Sequence, residues 1–183
     1  TTVPFLKKLY NEKSENEDYR WAILGTLPGM KTRESFTAFF ELANDFRKDE
    51  YDGYIYDRMF EPFRDTLDMT ADFYSNIVEL NNNKAFEYYT YNLVLNLLRR
   101  DKIEKAVVHR DLKLYLNRAK EIAEKYNLTE KQDSLPEMDE YWHFDGLIII
   151  LGELGIGEET DDFLSSLQNI PSESLLVTLT DAL

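Results

Sequence analysis

The chain has 183 residues, of which 43% are hydrophobic and 14% aromatic, and this excludes a disordered protein because so many large rings need a core. It has no cysteine, which excludes disulfides and thiolate metal sites and fits a reducing compartment. The net charge of −14 and the shortness of the best apolar run, Leu147–Leu151, argue against nucleic acid and membrane as partners. The stretch Thr1–Lys8 lacks the apolar length of a signal peptide, so we expect a cytoplasmic protein.

The charge is unevenly distributed along the chain. Residues 82–120 have a net charge of +5, whereas residues 121–183 carry Lys125 and Lys131 against 15 acidic side chains, a net charge of −13. We therefore expect the last third to present an acidic surface to a basic macromolecule. The alternative is an acidic surface that only keeps the protein in solution. The basic middle segment can also pair with the acidic flanks.

Helical periodicity begins in the first third. One helix is predicted from about Asp18 to Pro28-Gly29, where the proline and glycine end it. A second is predicted after Thr32, with one apolar face. That face consists of Phe36, Phe39, Ala43 and Phe46.

The middle of the chain predicts two longer helices. Lys84–Arg100 is apolar around most of its circumference, which is typical of a central, buried helix, and Asn83 is a candidate N-cap. Apolar residues at spacings of three and four predict a second helix from Leu112 to Tyr126. The polar stretch Asn127–Pro136 is predicted to be the longest loop.

The last third predicts a helix from about Asp139 to the glycines Gly155 and Gly157, and Pro171-Ser172 opens a final one. In total, we expect an all-α fold of eight or nine helices in one domain. A subdivision into residues 1–126 and 137–183 is possible. Ile23–Leu27 resembles Ile150–Leu154, each followed by a glycine turn and another helix, which is the unit of helical solenoids. Chance similarity between two helix ends explains this about as well, so antiparallel helical hairpins in a degenerate HEAT-like solenoid and in a bundle both stay open.

Motifs of catalysis are missing. The only histidines are His109 and His143, and no nucleotide-binding, zinc-protease or hydrolase motif occurs. The His109-Arg110-Asp111 triplet matches one kinase motif without the others, so we place His109 near the start of a helix. We predict no enzyme, no cofactor and no metal. Two carboxylates held across a cleft remain the enzymatic alternative.

Residues 137–155 combine an acidic lead, Trp142-His143 and an apolar helix that ends in Leu151–Gly155. This pattern resembles the helical-repeat (HEAT-like) immunity proteins of bacterial contact-dependent growth inhibition and polymorphic toxin systems. The resemblance covers residues 137–183 and departs from that family where Asp145-Gly146 replaces a second His-Glu pair. It implies an antidote that binds a cognate toxin domain, and the acidic last third independently favours a basic, nuclease-type toxin.

Two groups of residues are the candidate partner-binding site. The first is Asp139, Glu140, Tyr141, Trp142 and Asp145, and the second is Glu158, Glu159, Asp161 and Asp162. The alternatives are structural: Trp142 can pack between helices, and the second group can simply meet the dipole at a helix start. A helical adaptor that binds an unrelated protein is the other functional hypothesis.

Overall fold

The computed structural model describes residues 2–13, 15–46, 53–131, 138–154 and 157–168. All regular structure in these ranges is helical, so the predicted all-α class is confirmed. The chain divides into two compact units, Thr1–Lys102 and Ile103–Leu183. The subdivision considered from the sequence fell after residue 126, in a connection between two helices that pack together within the second unit.

Side chains cap the second and third helices of the first unit. The Asn16 side chain accepts a hydrogen bond from the amide of Tyr19, and Thr32 and Ser35 form a reciprocal capping box. The helices of this unit are α1 (Thr2–Glu12), α2 (Glu17–Gly29), α3 (Arg33–Ala43), α4 (Gly53–Asp65), α5 (Leu67–Thr70), a 3₁₀ turn (Ala71–Phe73), α6 (Tyr74–Leu80) and α7 (Glu87–Arg99).

Aromatic rings fill the core of this unit. The ring centroids of Trp21 on α2 and Tyr56 on α4 are 4.4 Å apart, and those of Phe36 and Phe63 are 4.2 Å apart. α7 packs on α4 and α6 and is buried over most of its length, as its apolar circumference predicted. Phe46 lies beyond the end of α3, yet it is fully buried and stacks on Trp21 at 5.5 Å.

Asn83 caps the turn that leads into α7, as predicted for its side chain, although it does not occupy the N-cap position of the regular helix: its side-chain oxygen accepts a hydrogen bond from the amide of Ala85 at 3.2 Å, and its carbonyl accepts one from the amide of Glu87 at 3.1 Å. α7 begins at Glu87 with Phe86 at its N-cap position. The Asn83 side-chain amide also donates to the carbonyls of Ala43 at 2.9 Å and Phe46 at 2.7 Å. Ala43 is the last residue of α3 and Phe46 lies just past it. The amide donates one hydrogen to each of these buried carbonyls, and the Ala43 carbonyl also accepts a hydrogen bond from the amide of Phe46 at 3.1 Å.

The second unit is built around α10. Its helices are α8 (Lys105–His109), α9 (Leu112–Lys125), α10 (Tyr141–Leu154) and α11 (Glu158–Ser166). α10 packs along α9 and also contacts α8. The predicted face of α9 is confirmed, because Tyr115, Ala119 and Ile122 are fully buried.

His109 is the last residue of α8 and lies just before α9, which begins at Leu112 with Asp111 at its N-cap position, so the predicted place near a helix start is confirmed. α8 itself begins after Glu104 in extended conformation, and a turn at Arg110-Asp111 separates it from α9. The predicted helix after Pro171-Ser172 lies outside the described residues. So does the part of the predicted loop Asn127–Pro136 that follows Lys131.

Candidate functional site

The start of α10 presents an aromatic pair to solvent. Trp142 is 57% exposed, whereas Phe144, two residues further on, is fully buried. The rings of Tyr141 and Trp142 meet edge to face, with their centroids 4.9 Å apart and their planes at 80°. Most of the Trp142 indole therefore lies outside the helix packing, where another molecule can reach it.

One face of α10 is less buried than the rest of this helix. Trp142, Asp145, Ile149 and Glu153 follow at spacings of three, four and four, which places them on one side of the helix. Trp142 is exposed and the other three are half-buried. We call these four residues the α10 stripe. It carries two carboxylates and no cation, because the chain has no lysine or arginine after Lys131.

Glu140 lies just before α10 and binds two cations of α9. Its Oε1 accepts a hydrogen bond from Arg118 Nη2 at 2.6 Å, and its Oε2 accepts one from Lys125 Nζ at 2.5 Å. Arg118 and Lys125 are seven residues apart, so they lie on the same side of α9. The Glu140 side chain is only 15% exposed. This carboxylate joins α9 to the start of α10 instead of projecting toward a partner.

Glu140, Arg118 and Lys125 form a charged cluster, and the contacts among them determine how Glu140 and Lys125 ionise. Burial alone would raise the pKa of Glu140, but the hydrogen bonds from Lys125 and Arg118 outweigh it and lower the pKa below its ordinary value of 4.5. The hydrogen bonds to Glu140 and Tyr126 raise the pKa of Lys125. The cluster is therefore ionised across the neutral range.

The second predicted group lies at the start of α11. Glu158, Glu159 and Asp161 occupy its first turn, where carboxylates interact favourably with the helix dipole. Glu159 accepts a hydrogen bond from Lys120 at 2.8 Å, and this bond lowers its pKa, with a smaller contribution from the charge of Lys113. Glu158 and Asp162 are exposed and Asp161 is half-buried.

One acid of each predicted group binds α9, and the two acids bind on different sides of this helix. Lys120, which holds Glu159, is rotated from both Arg118 and Lys125 by roughly 140–160° around the helix. The buried face with Tyr115 and Ile122 lies between these two sides. Ion pairs therefore flank the packed face of α9. Glu140 joins one side of this helix to the start of α10, and Glu159 joins the other side to α11.

The candidate surface differs from the predicted one in two respects. Asp139, Trp142 and Asp145 stay at the start of α10, with Tyr141 half-buried beside them, whereas Glu140 turns toward α9. Ile149 and Glu153 join the surface although sequence reasoning did not select them. The spacing from Trp142 to Glu153 was the available signal, but the strong apolar character of α10 concealed it.

Neither a cluster of metal-binding side chains nor a membrane-spanning helix is found among the described residues. They contain no group of three or more histidine, aspartate or glutamate side chains arranged to hold a metal ion. No helix among them has both the length and the apolar character needed to cross a membrane. Comparisons with protein-family models, curated proteins and solved structures found no match to this chain.

Proposed function

We propose that this chain is an immunity protein that binds a basic toxin domain through the α10 stripe and the neighbouring acids of the second unit. The observation that carries the proposal is the exposed Trp142 on a face that holds Asp145 and Glu153 and no cation. Tryptophan is enriched among the residues that dominate binding energy, and surrounding charge of one sign speeds the approach of an oppositely charged partner.

The charge of the second unit agrees with a basic partner. Glu140 and Glu159 are neutralised by cations of α9. Asp139, Glu158 and Asp162 are exposed. If a basic domain covers these acids with the surface that binds nucleic acid, we expect that surface to become inaccessible and the nuclease to be inhibited.

The first experiment is co-expression with the polypeptide encoded immediately upstream, followed by measurement of the complex at low and high salt. We expect a one-to-one complex whose association slows as salt rises. Trp142→Ala is expected to weaken it by about thirtyfold, the equivalent of about 2 kcal/mol at a dominant interface residue. Asp145→Asn is expected to reduce mainly the association rate.

Matched controls come from the first unit. Tyr19 on α2 is 52% exposed, close to the exposure of Trp142, and Asp18 is an exposed acid beside it. Tyr19→Ala and Asp18→Asn should leave the complex unchanged. The proposal fails if no complex forms, or if these controls weaken it as much as the variants of the stripe do.

A peptide-binding adaptor is the second candidate, favoured by a groove of about 490 Å³ between α1 and α3 in the first unit. Phe5 on α1 is 61% exposed, and the ion pair between Lys7 and Glu41 joins the two helices. Thr37→Trp would fill this groove. Loss of a partner with Thr37→Trp but not with Trp142→Ala would favour the adaptor. The groove is lined by Val3, Pro4, Lys7, Glu34, Thr37, Ala38 and Glu41.

A further inference from the structure

Helix α7 leaves one row of its side chains accessible. Within residues 87–98 every residue is buried except Tyr88, Asn92 and Asn96, which are half-buried. These three follow at intervals of four, so they lie on one side of the helix. The C-cap residue Arg100 comes four residues later and is exposed. We call Tyr88, Asn92, Asn96 and Arg100 the α7 row.

The two asparagines of the row hold their side chains in the same way. Asn92 Nδ2 donates to the carbonyl of Tyr88 at 3.0 Å, and Asn96 Nδ2 donates to the carbonyl of Asn92 at 2.7 Å. Each amide thereby uses one hydrogen, while its second hydrogen and its Oδ1 form no hydrogen bond with any described residue. Two amides fixed in this way each offer a donor and an acceptor to another chain.

The spacing of the two amides matches an extended chain. Four residues of an α-helix advance about 6 Å, and two residues of a β-strand advance about 6.6–6.8 Å. In an extended chain the N–H and C=O groups of every second residue point to the same edge. Such a segment along α7 can therefore pair one residue with Asn92 and the next but one with Asn96. A helical segment cannot, because its peptide groups are already bonded to one another.

The ends of the row define the side chains that the segment needs. Arg100 forms no ion pair with any described residue, although Asp101 follows it directly, and Arg99 beside it is exposed as well. A carboxylate is the partner that a guanidinium binds best. At the other end, the Tyr88 ring meets Tyr89 edge to face, with centroids 5.0 Å apart, and keeps part of its surface in solvent. The row therefore favours an acidic residue at one end and an apolar one near the other.

We infer that the α7 row binds an extended segment of a partner protein, whose main chain pairs with Asn92 and Asn96 and whose acidic side chain binds Arg100. The row belongs to the first unit and the α10 stripe to the second. The row is neutral in its middle and positive at its end, whereas the α10 stripe is acidic. Binding at the α7 row does not rest on the immunity function.

The test uses the full chain and a fluorescein-labelled peptide of about six residues, the length of extended chain that spans the row. The peptide alternates valine and serine between two terminal glutamates, so that a carboxylate reaches Arg100 in either direction. Fluorescence anisotropy measures its dissociation constant. The double variant Asn92→Ala and Asn96→Ala is expected to weaken binding about tenfold, and Arg100→Gln about threefold, as loss of two hydrogen bonds and of one exposed ion pair would.

Methylated peptides test whether the main chain is what binds. One carries N-methyl groups on its valines and the other on its serines, so each lacks the donors of one edge. One of the two should bind the natural protein about tenfold more weakly than the unmethylated peptide does. The same peptide should lose little with the double variant, because the hydrogen bonds that it cannot form are already absent there.

The matched controls are Asn117→Ala and Arg110→Gln, which change an exposed asparagine and an exposed arginine outside the row. Both should retain binding within about twofold, since they lie outside the contact. Alanine is the better helix former, so the double variant should keep α7, and circular dichroism checks this. No binding of the unmethylated peptide overturns the inference. So does equal weakening by the controls, or an equal effect of methylation on the natural protein and the double variant.

Discussion

The guanidinium of Arg118 and the carboxylate of Glu140 meet at 2.6 Å, and this contact connects the middle of α9 to the residue that precedes α10. Glu140 was selected from the sequence as a partner-binding acid. In the structure its charge is used internally, together with Lys125. Asp139, Glu158 and Asp162, by contrast, are exposed.

Glu140→Gln is expected to lower the free energy of unfolding by about 1–2 kcal/mol, because a little-exposed carboxylate that binds two cations is replaced by a neutral amide. Urea denaturation followed by circular dichroism measures the loss. Glu121→Gln is the matched control, since Glu121 also contacts Arg118, at 3.4 Å, but is 67% exposed. A loss of the same size in both variants would contradict the role assigned to Glu140.

The contribution of Glu140 should depend on pH in a defined direction. Its pKa is lowered in the folded protein, so its stabilisation is complete above the ordinary value of 4.5 and is lost as the pH falls through the lower folded-state pKa. The difference in unfolding free energy between the natural protein and Glu140→Gln is the quantity to follow, from about pH 7 down to about pH 3. A difference that stays constant over this range would show that the charge of Glu140 does not matter.

Trp142→Ala is expected to cost less than about 1 kcal/mol of stability, because the indole is mostly exposed and little of its surface is buried by folding. Phe144→Ala, two residues away on the same helix, is expected to cost about 3–5 kcal/mol because it leaves a cavity in the core. Chemical denaturation of both variants checks this. A large loss in Trp142→Ala would mean that the indole packs the helices, and it would weaken the proposed interface.

Asn83→Ala is expected to cost about 2–3 kcal/mol, because the buried carbonyl of Phe46 would lose its side-chain donor, the carbonyl of Ala43 would keep only the amide of Phe46, and the amide of Ala85 would lose its acceptor. Asn83→Asp should be worse, since a carboxylate cannot donate to either carbonyl. Asn82→Ala is the neighbouring control: Asn82 is exposed, and its amide reaches only the carbonyl of Glu79. Thermal unfolding of the three variants gives the order, and similar melting temperatures for Asn82→Ala and Asn83→Ala would refute it.

Local features of the fold could be predicted from the sequence. The buried face of α9, the cap at Thr32 and the central position of α7 each depend on residues within a few turns of one another, so spacing and side-chain type determine them. The charge of the candidate surface is equally a sequence property, since no cation follows Lys131.

The tertiary structure decided how individual side chains are used. The side-chain amide of Asn83 binds carbonyls that are 40 and 37 residues away, and Glu140 binds two cations on another helix. No local sequence pattern predicts either contact. The exposure of Trp142 depends on the rotation of α10 about its own axis. Because α10 is apolar on nearly every side, only its packing against α8 and α9 selects the side that remains in solvent.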